Sequence, residues 1–252
     1  MEITISTPSA LLGSAVTFAA VLLLSPQITT TSESIITGEQ REILSHMSIE
    51  YLDDGQGGTN KTIRIAGVDL QVVNGLGETM SSSNGVGNLI VGYNELGAPL
   101  EDARRGSHNV IVGINNSYWS NGGAAIGSAH TLAGRHAAVV GGHLNSALSQ
   151  WSLVAGGSSN TATGSESVVS GGCCNTASGP KSVVSGGIEN EASGVMSAIS
   201  GGQANAASGR HSSVTGGFNN SAEGERSAVS GGSGRRAPDD YDWAAGSLWE
   251  DE

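Results

Sequence analysis

A fifteen-residue phrase that recurs six times without insertion or deletion is the feature that most constrains this chain. Each phrase opens with asparagine, reaches alanine two residues later and serine five residues after that, and then places valine or isoleucine before a Gly-Gly pair. The asparagines are Asn145, Asn160, Asn175, Asn190, Asn205 and Asn220, and the branched residues are Val154, Val169, Val184, Ile199, Val214 and Val229. A fixed period of this kind is typical of a solenoid in which each phrase forms one turn.

The composition of one phrase favours strands over a helix. Val183 and Val184 are the centre of a β-prone run, and Glu191 with Ala192 makes a second, shorter run. The Gly-Gly pair and the later Gly194 are predicted to form corners, because glycine adopts positive φ at little steric cost. A helix would lose about 1 kcal/mol at each glycine relative to alanine. The sequence therefore predicts an all-β chain, a parallel β-solenoid with about fifteen residues per coil.

Slots that repeat are predicted to face inward, and slots that vary are predicted to face water. The slot of Val184 holds only valine or isoleucine, whereas the slot of Lys181 changes from Trp151 to Arg226. The asparagines are expected to stack as an amide ladder in a narrow interior of valine, alanine and asparagine. The slot of Val183 alternates with the core and so faces outward, yet it is mostly apolar. We therefore expect a homo-oligomer, with a trimer of parallel columns as the simplest form.

Charge and composition exclude several classes of function. The chain has 39 glycines, ten aromatic residues and a net charge of −12, with much of the acidity in residues 39–54 and 239–252. That balance argues against a nucleic-acid partner. The six histidines show no metal-ligand spacing, the serines form a repeated row rather than one distinctive nucleophile, and the Gly-Gly corners lack the pattern of a phosphate loop. We expect no catalytic, cofactor-binding or metal-binding residues, and no enzyme.

The two cysteines, Cys173 and Cys174, are adjacent in a variable corner after a Gly-Gly pair. One interpretation is that they are incidental turn residues. The other is a disulfide to a neighbouring subunit, formed in an oxidising compartment.

Residues 1–32 contain an apolar run at 10–24 that suits the hydrophobic part of a secretory signal, although no Lys or Arg precedes it. An uncleaved anchor and a segment that packs against a neighbouring subunit are the alternatives. The export interpretation predicts a secreted or cell-surface protein.

The remaining flanks are predicted to cover the ends of the solenoid, which spans residues 88–232 in roughly ten turns. Residues 33–87 contain a helical stretch from Gly38, a β-hairpin and an alternating third strand at 68–73, together read as a cap over the first turn. An insertion at 96–105 is expected to form a side loop that carries variable recognition. Residues 233–252 concentrate aromatic side chains and are predicted to form a C-terminal cap. Its residues Tyr241, Trp243 and Trp249 are also candidate partner contacts.

The phrases Ser182-Val183-Val184-Ser185-Gly186-Gly187 and Asn175-Thr176-Ala177-Ser178-Gly179 resemble the head repeats of YadA-like trimeric autotransporter adhesins. They are closer to a set of uncharacterised bacterial secreted proteins with NTASGxxSSVSGG repeats. The resemblance covers about residues 88–232 and implies a left-handed β-roll that trimerises. This sequence lacks the heptad stalk and the membrane-strand anchor of such adhesins, so we do not expect it to anchor itself in an outer membrane.

These observations predict a non-catalytic extracellular structural protein. The rigid oligomer is expected to act as a filament subunit that docks end to end, or as an adhesive head for a host or matrix surface ligand. A binding module for ice or carbohydrate, using a flat repetitive face, is the alternative.

Overall fold

The structure, a computed structural model, describes residues 36–80, 82–95 and 103–246. The predicted export signal, Trp249 and most of the predicted side loop lie outside the described residues. The chain divides into two compact units, Met1–Leu70 and Gln71–Glu252.

The first unit contains one helix and one hairpin. The helix α1, Gly38–Ser45, begins at a capping box in which Thr37 and Gln40 bond each other's backbone N–H. Strands β1, Met47–Asp53, and β2, Thr59–Ile65, pair antiparallel. Both elements confirm the prediction, but residues 68–73 form no strand, so the predicted third strand is wrong. The alternating pattern at residues 68–73 determines which side chains would share a face of a strand. It does not provide the neighbouring strand with which that strand would have to pair.

The hairpin turn is held by two carboxylates, of which Asp53 accepts a hydrogen bond from the backbone N–H of Gly55 at 2.7 Å. Asp54 accepts hydrogen bonds from the backbone N–H groups of Gln56 and Gly58 at 2.8 and 2.9 Å. These bonds lower the pKa of Asp54, because they stabilise its charged form. Ile49 and Ile63 lie opposite each other on one face of the hairpin, Leu52 lies on the other face, and all three remain exposed. Neither the helix nor either strand buries a residue, so the described part of this unit, residues 36–70, has no buried core.

The second unit is a parallel β-solenoid, which confirms the predicted fold, but it has about nine turns rather than the roughly ten that the sequence predicted. Its first sheet has eleven strands: β3 Leu89–Val91, β4 Val110–Ile114, β6 Ala124–Ser128, β8 Ala138–His143, β10 Leu153–Val154, β12 Val168–Val169, β14 Val183–Val184, β16 Ala198–Ile199, β18 Ser213–Val214, β20 Ala228–Val229 and β22 Trp243–Ala244. Its second sheet has nine: β5 Ser117–Tyr118, β7 Thr131–Leu132, β9 Ser146–Ala147, β11 Thr161–Ala162, β13 Thr176–Ala177, β15 Glu191–Ala192, β17 Ala206–Ala207, β19 Ser221–Ala222 and β21 Arg236–Ala237. From β4 to β21, each turn contributes one strand to each sheet, and β3 and β22 add one further strand at either end of the first sheet.

The register repeats the sequence phrase. Val169 pairs with Val184, and Ala162 pairs with Ala177, so equivalent residues of successive phrases lie one above another. The turns that link β4, β6 and β8 are one residue shorter, because Val110, Ala124 and Ala138 are paired neighbours. The register shifts between β6 and β8, where the fifteen-residue period begins.

The solenoid continues one turn beyond the strict repeat. The sequence pattern weakens after Gly232, yet β21 pairs with β19 and β22 pairs with β20, both in parallel. Ala237 takes the alanine slot and is buried, while Ala244 takes the valine slot. Small apolar residues in the two inward slots maintain the coil even though the surrounding residues change.

The glycines of the phrase serve two different purposes. Gly187, the second of its pair, has φ +89°, as predicted for a corner. Gly179 does not adopt positive φ, and the left-handed conformation falls instead on Lys181 at φ 59°. A Cβ added at Gly179 would lie 2.0 Å from the carbonyl oxygen of Gly194 in the next turn. The later glycine is therefore required by the close approach of stacked backbones rather than by its own φ.

Candidate functional site

The inward columns contain all twelve residues that the sequence places in the interior. The six asparagines, from Asn145 to Asn220, and the six branched residues, from Val154 to Val229, are each at most 1% exposed. The alanine slot, represented by Ala177, is equally buried. The core widens toward its N-terminal end, where Tyr118 and Leu132 occupy the alanine column.

Each asparagine bonds backbone groups of its own turn and of the next. The Nδ2 of Asn175 donates to the carbonyl oxygens of Gly171 at 3.0 Å and Gly187 at 2.9 Å. Its Oδ1 accepts from the backbone N–H of Asn190 at 3.0 Å. The predicted amide ladder is therefore mainly a side-chain-to-backbone ladder. One amide-to-amide bond accompanies it, from Asn205 to Asn190 at 3.1 Å.

The asparagine column extends farther toward the N terminus than the sequence indicated. The Oδ1 of Asn116 accepts from the backbone N–H of His130 at 3.0 Å, and Nδ1 of His130 accepts from the backbone N–H of Asn145 at 3.2 Å. His130 takes the place of an asparagine in this column, and Asn116 was not among the residues predicted to belong to it. Asn116 lies fourteen residues before His130, so it falls outside the fifteen-residue period. A search that allowed a spacing of fourteen residues would have found it.

His130 is a buried ionisable group whose role is structural. It is 1% exposed, and burial lowers its pKa, with nearby His143 acting in the same direction and the Ile126 carbonyl opposing both. The neutral ring fits the column because Nδ1 must keep a lone pair to accept the Asn145 N–H. Nδ1 of His130 can accept this bond only when the imidazole is neutral. Because the ring is buried, it cannot reach a substrate in solution.

The serine column is also internal. Ser167 donates from Oγ to the carbonyl oxygen of Gly164 at 2.7 Å, and Ser152 donates to that of Ser149 at 2.6 Å. Four buried hydroxyls of the same column have no hydrogen-bond partner: Ser182, Ser197, Ser212 and Ser227. A serine at most 1% exposed is inaccessible to a substrate, so the row contributes to the core.

The outer face of the first sheet is the candidate interaction surface. Its first outward column contains Leu89, Val110, Ala124, Ala138, Leu153, Val168, Val183, Ala198, Ser213, Ala228 and Trp243. The next outward slot contains Val91, Val112, Ile126, Val140, Ala155, Ser170, Ser185, Ser200, Thr215 and Ser230. Neither column contains a charged residue, although the chain has a net charge of −12. We call these two columns the uncharged face.

The uncharged face is most apolar toward its N-terminal end. Val91 is 55% exposed, and Leu89, Val110 and Val140 are also exposed. In the second of the two columns, hydroxyl groups replace the apolar side chains in the later turns, as at Ser200.

The outer face of the second sheet is different in character. Thr161 and Thr176 are neighbours in one outward column, which continues through Glu191, Ala206 and Ser221 to Arg236. An exposed ion pair crosses this face, where Arg236 donates to Glu223 at 2.6 Å. That pair lowers the pKa of Glu223 and raises that of Arg236, because each charge stabilises the other.

The C-terminal aromatic residues that the structure describes lie on the outer surface of the last turn. Trp243 is 70% exposed in the first outward column, and its Nε1 donates to Ser230 Oγ at 2.7 Å. Tyr241 is 68% exposed, and Arg226 lies over its ring at 5.5 Å from the centroid. Both are therefore available for contact with a partner, and neither is buried in the core.

Within the described residues, no cluster of three or more His, Cys, Asp or Glu side chains could hold a metal ion. Among the same residues, no helix is both long and apolar enough to span a membrane. The sequence matches no protein-family model and no curated protein.

Proposed function

We propose that this chain is a non-catalytic extracellular structural protein, whose solenoid is a rigid column that associates with two further copies. The observation that carries this proposal is the uncharged face, which runs along the first sheet from β3 to β22. Large exposed apolar patches mark interaction sites in soluble proteins. A second copy is the favoured occupant because two such faces can meet without like-charge repulsion, despite the net charge of −12.

The interior supports a mechanical role. Every turn from Asn145 to Asn220 is joined to the next by the same asparagine bonds and by strand pairing in both sheets. Solenoids stacked in this way are stabilised by contacts between neighbouring repeats. The column therefore suits a spacer, which presents its surfaces at a fixed distance.

The likeness of the repeats to YadA-like adhesin heads supports three parallel columns and a left-handed coil. On this basis we propose a secreted or cell-surface protein that acts as a filament subunit or as an adhesive head for a host or matrix ligand. Exposed Tyr241 and Trp243 supply candidate contacts for end-to-end assembly. The capping role of residues 33–87 stays a prediction.

Light scattering on the purified full chain tests the oligomer. We expect a particle with three times the mass of the chain, and a stable, soluble monomer would contradict the proposal. Replacing Val168 and Val183 together by aspartate introduces charge on the uncharged face and should dissociate the trimer. The matched control replaces Thr161 and Thr176 by aspartate on the second sheet, and it should leave the mass unchanged. Circular dichroism should show the same β structure in both variants.

Electron microscopy separates the two structural roles. Negative-stain images with end-to-end chains of columns would support the filament subunit, whereas dispersed particles under all conditions would remove it. Binding of the oligomer to an array of glycans and matrix proteins would then support the adhesive head.

A binding module for ice or carbohydrate is the second candidate, and the second sheet favours it locally. Thr161, Thr163 and Thr176 present hydroxyl groups on a flat, regularly spaced surface. Glu191 and Glu223 interrupt that regularity in later turns. Absence of thermal hysteresis would remove ice binding, and absence of any glycan signal would remove carbohydrate binding.

A further inference from the structure

The adjacent cysteines bring two sulfur atoms together at one corner of the solenoid. The Sγ atoms of Cys173 and Cys174 are 2.6 Å apart. Both thiols are free, with Cys173 half-buried and Cys174 exposed. The pair is therefore accessible to a small thiol reagent in solution.

The coil, rather than the sulfur atoms, fixes the backbone of this corner. The N–H of Cys173 donates to Gly187 in the next turn, and the N–H of Cys174 donates to Ser158 in the previous turn, both at 3.0 Å. Cys174 has φ 62°, and the equivalent residues Ser159 and Glu189 have φ 55° and 58°. Because the neighbouring turns impose this backbone conformation, the corner keeps the two adjacent thiols beside each other.

We propose that Cys173 and Cys174 form a reversible redox pair within one chain, which a small-molecule disulfide closes into a disulfide bond. The exposed Cys174 thiolate attacks one sulfur of the reagent, forms a mixed disulfide and releases one small thiol. The Cys173 thiolate then attacks Cys174 Sγ, forms the Cys173–Cys174 bond and displaces the second small thiol. The two protein thiols lose two protons and two electrons, which reduce the small disulfide to two thiols.

Geometry favours closure within the chain over a cross-link between copies. The second thiol already lies beside the first, so closure is a unimolecular step that does not depend on a second copy. The bond formed should remain easy to reduce. Consecutive Cα atoms are about 3.8 Å apart, whereas ordinary disulfides join Cα atoms roughly 4.4–6.8 Å apart. Strained, exposed disulfides are the labile ones.

The pair also predicts how the reaction depends on pH. The hydrogen bond with Cys173 raises the pKa of Cys174, and desolvation and the nearby charges of Cys173 and Glu189 act in the same direction. Since the thiolate is the attacking species, the first step should accelerate as the pH rises above neutral.

The test treats the reduced full chain with oxidised glutathione and measures its intact mass under denaturing, non-reducing conditions. We expect a monomeric chain lighter by about 2 Da, the mass of two hydrogens lost on closure. Dithiothreitol should restore the original mass. A retained glutathione adduct, a chain dimer on a non-reducing gel, or no mass change would each overturn the proposal.

Two single variants make the result specific. Cys173→Ser and Cys174→Ser each leave one thiol, so each should react only as far as a retained glutathione adduct. Serine fits this corner, since the equivalent residues of the previous turn are Ser158 and Ser159. The melting temperature should therefore stay unchanged, which separates loss of chemistry from loss of fold. A mass loss of about 2 Da in either variant would contradict the assignment.

Discussion

The strict repeat and the N-terminal part of the chain differ in where their apolar side chains lie. From Val139 to Val229 the inward valine column is buried within one chain. In residues 36–114, by contrast, many large apolar side chains are exposed, including Ile63 in the hairpin and Leu89 in the first strand of the solenoid. Repetition supplies a core because each turn covers the next, whereas a two-stranded hairpin is marginally stable without further packing.

The largest effect is expected where two stacked turns come closest. The variant Gly179→Ala places a Cβ 2.0 Å from the Gly194 carbonyl oxygen, so it should destabilise the chain by about 3 kcal/mol or more. The control Gly186→Ala meets no atom within 4 Å and should be tolerated. Chemical denaturation followed by circular dichroism measures both. If the two variants were equally stable, the close approach of stacked turns would not be what makes the repeat more stable than the N-terminal part of the chain.

The next effect concerns the asparagine column. The variant Asn175→Ala removes three hydrogen bonds, and it leaves the Asn190 N–H and the half-buried Gly171 carbonyl without the bonds that Asn175 makes. The Gly187 carbonyl keeps its bond from the Cys173 N–H. We expect a loss of about 3 kcal/mol in the free energy of unfolding. The control Gln203→Ala removes an exposed amide and should change that free energy little. A small loss at Asn175 would mean that the ladder adds little to the strand pairing.

A smaller, pH-dependent effect is expected at His130. Burial lowers the pKa of His130 in the folded chain. At a pH between the unfolded pKa, near 6.5, and this lower folded pKa, the unfolded chain therefore binds more protons than the folded chain. Its contribution to stability is therefore complete above about pH 6.5 and decreases on acidification by up to about 1.4 kcal/mol per pH unit.

The variant His130→Asn restores the asparagine of the phrase and should remove this acid-sensitive part. The measurement compares urea midpoints at neutral and mildly acidic pH, and His211→Asn, on the outer surface, is the control. If the wild type and His130→Asn lose the same stability on acidification, His130 is not the titrating group.

The smallest effect separates serines of the same column. Ser167→Ala removes a hydrogen bond to Gly164 and should cost about 1 kcal/mol. Ser197→Ala removes a buried hydroxyl without a partner, so it should be neutral or stabilising. Melting temperatures of the two variants measure the difference. Equal losses would indicate that the two hydroxyls share one environment.

The sequence was sufficient for the parts of the fold that repeat. The spacing of Val169 and Val184 gives the strand register, because parallel pairing places equivalent residues of successive phrases together. Asn116 was missed because its turn is one residue shorter. The last turn was missed because Arg236 and Trp243 occupy outward slots and obscure the inward alanines, Ala237 and Ala244.

Steric and hydrogen-bonding details needed the structure. The role of Gly179 depends on the distance between stacked backbones, which no single phrase encodes. Asn175 donates its side-chain hydrogen bonds to backbone carbonyl groups of the glycine corners. The repeated asparagines in the sequence did not show whether each side chain bonds these carbonyls or the amide of the next asparagine. The uncharged face was partly predictable, because alternation placed Val183 outward, but its extent to Leu89 required the register of the early strands.

The central claim is that each fifteen-residue phrase is one turn of a parallel column, and distances between equivalent residues test it most directly. Spin labels at Gln150 and Arg210, and at Gln150 and Asp240, mark equivalent exposed slots four and six phrases apart. They are introduced as cysteines into a chain with Cys173→Ser and Cys174→Ser, diluted with unlabelled chain. Pulsed electron paramagnetic resonance should give narrow distributions near 19 Å and 29 Å, from about 4.8 Å per paired strand. Distances that fail to increase with the number of phrases would contradict the column.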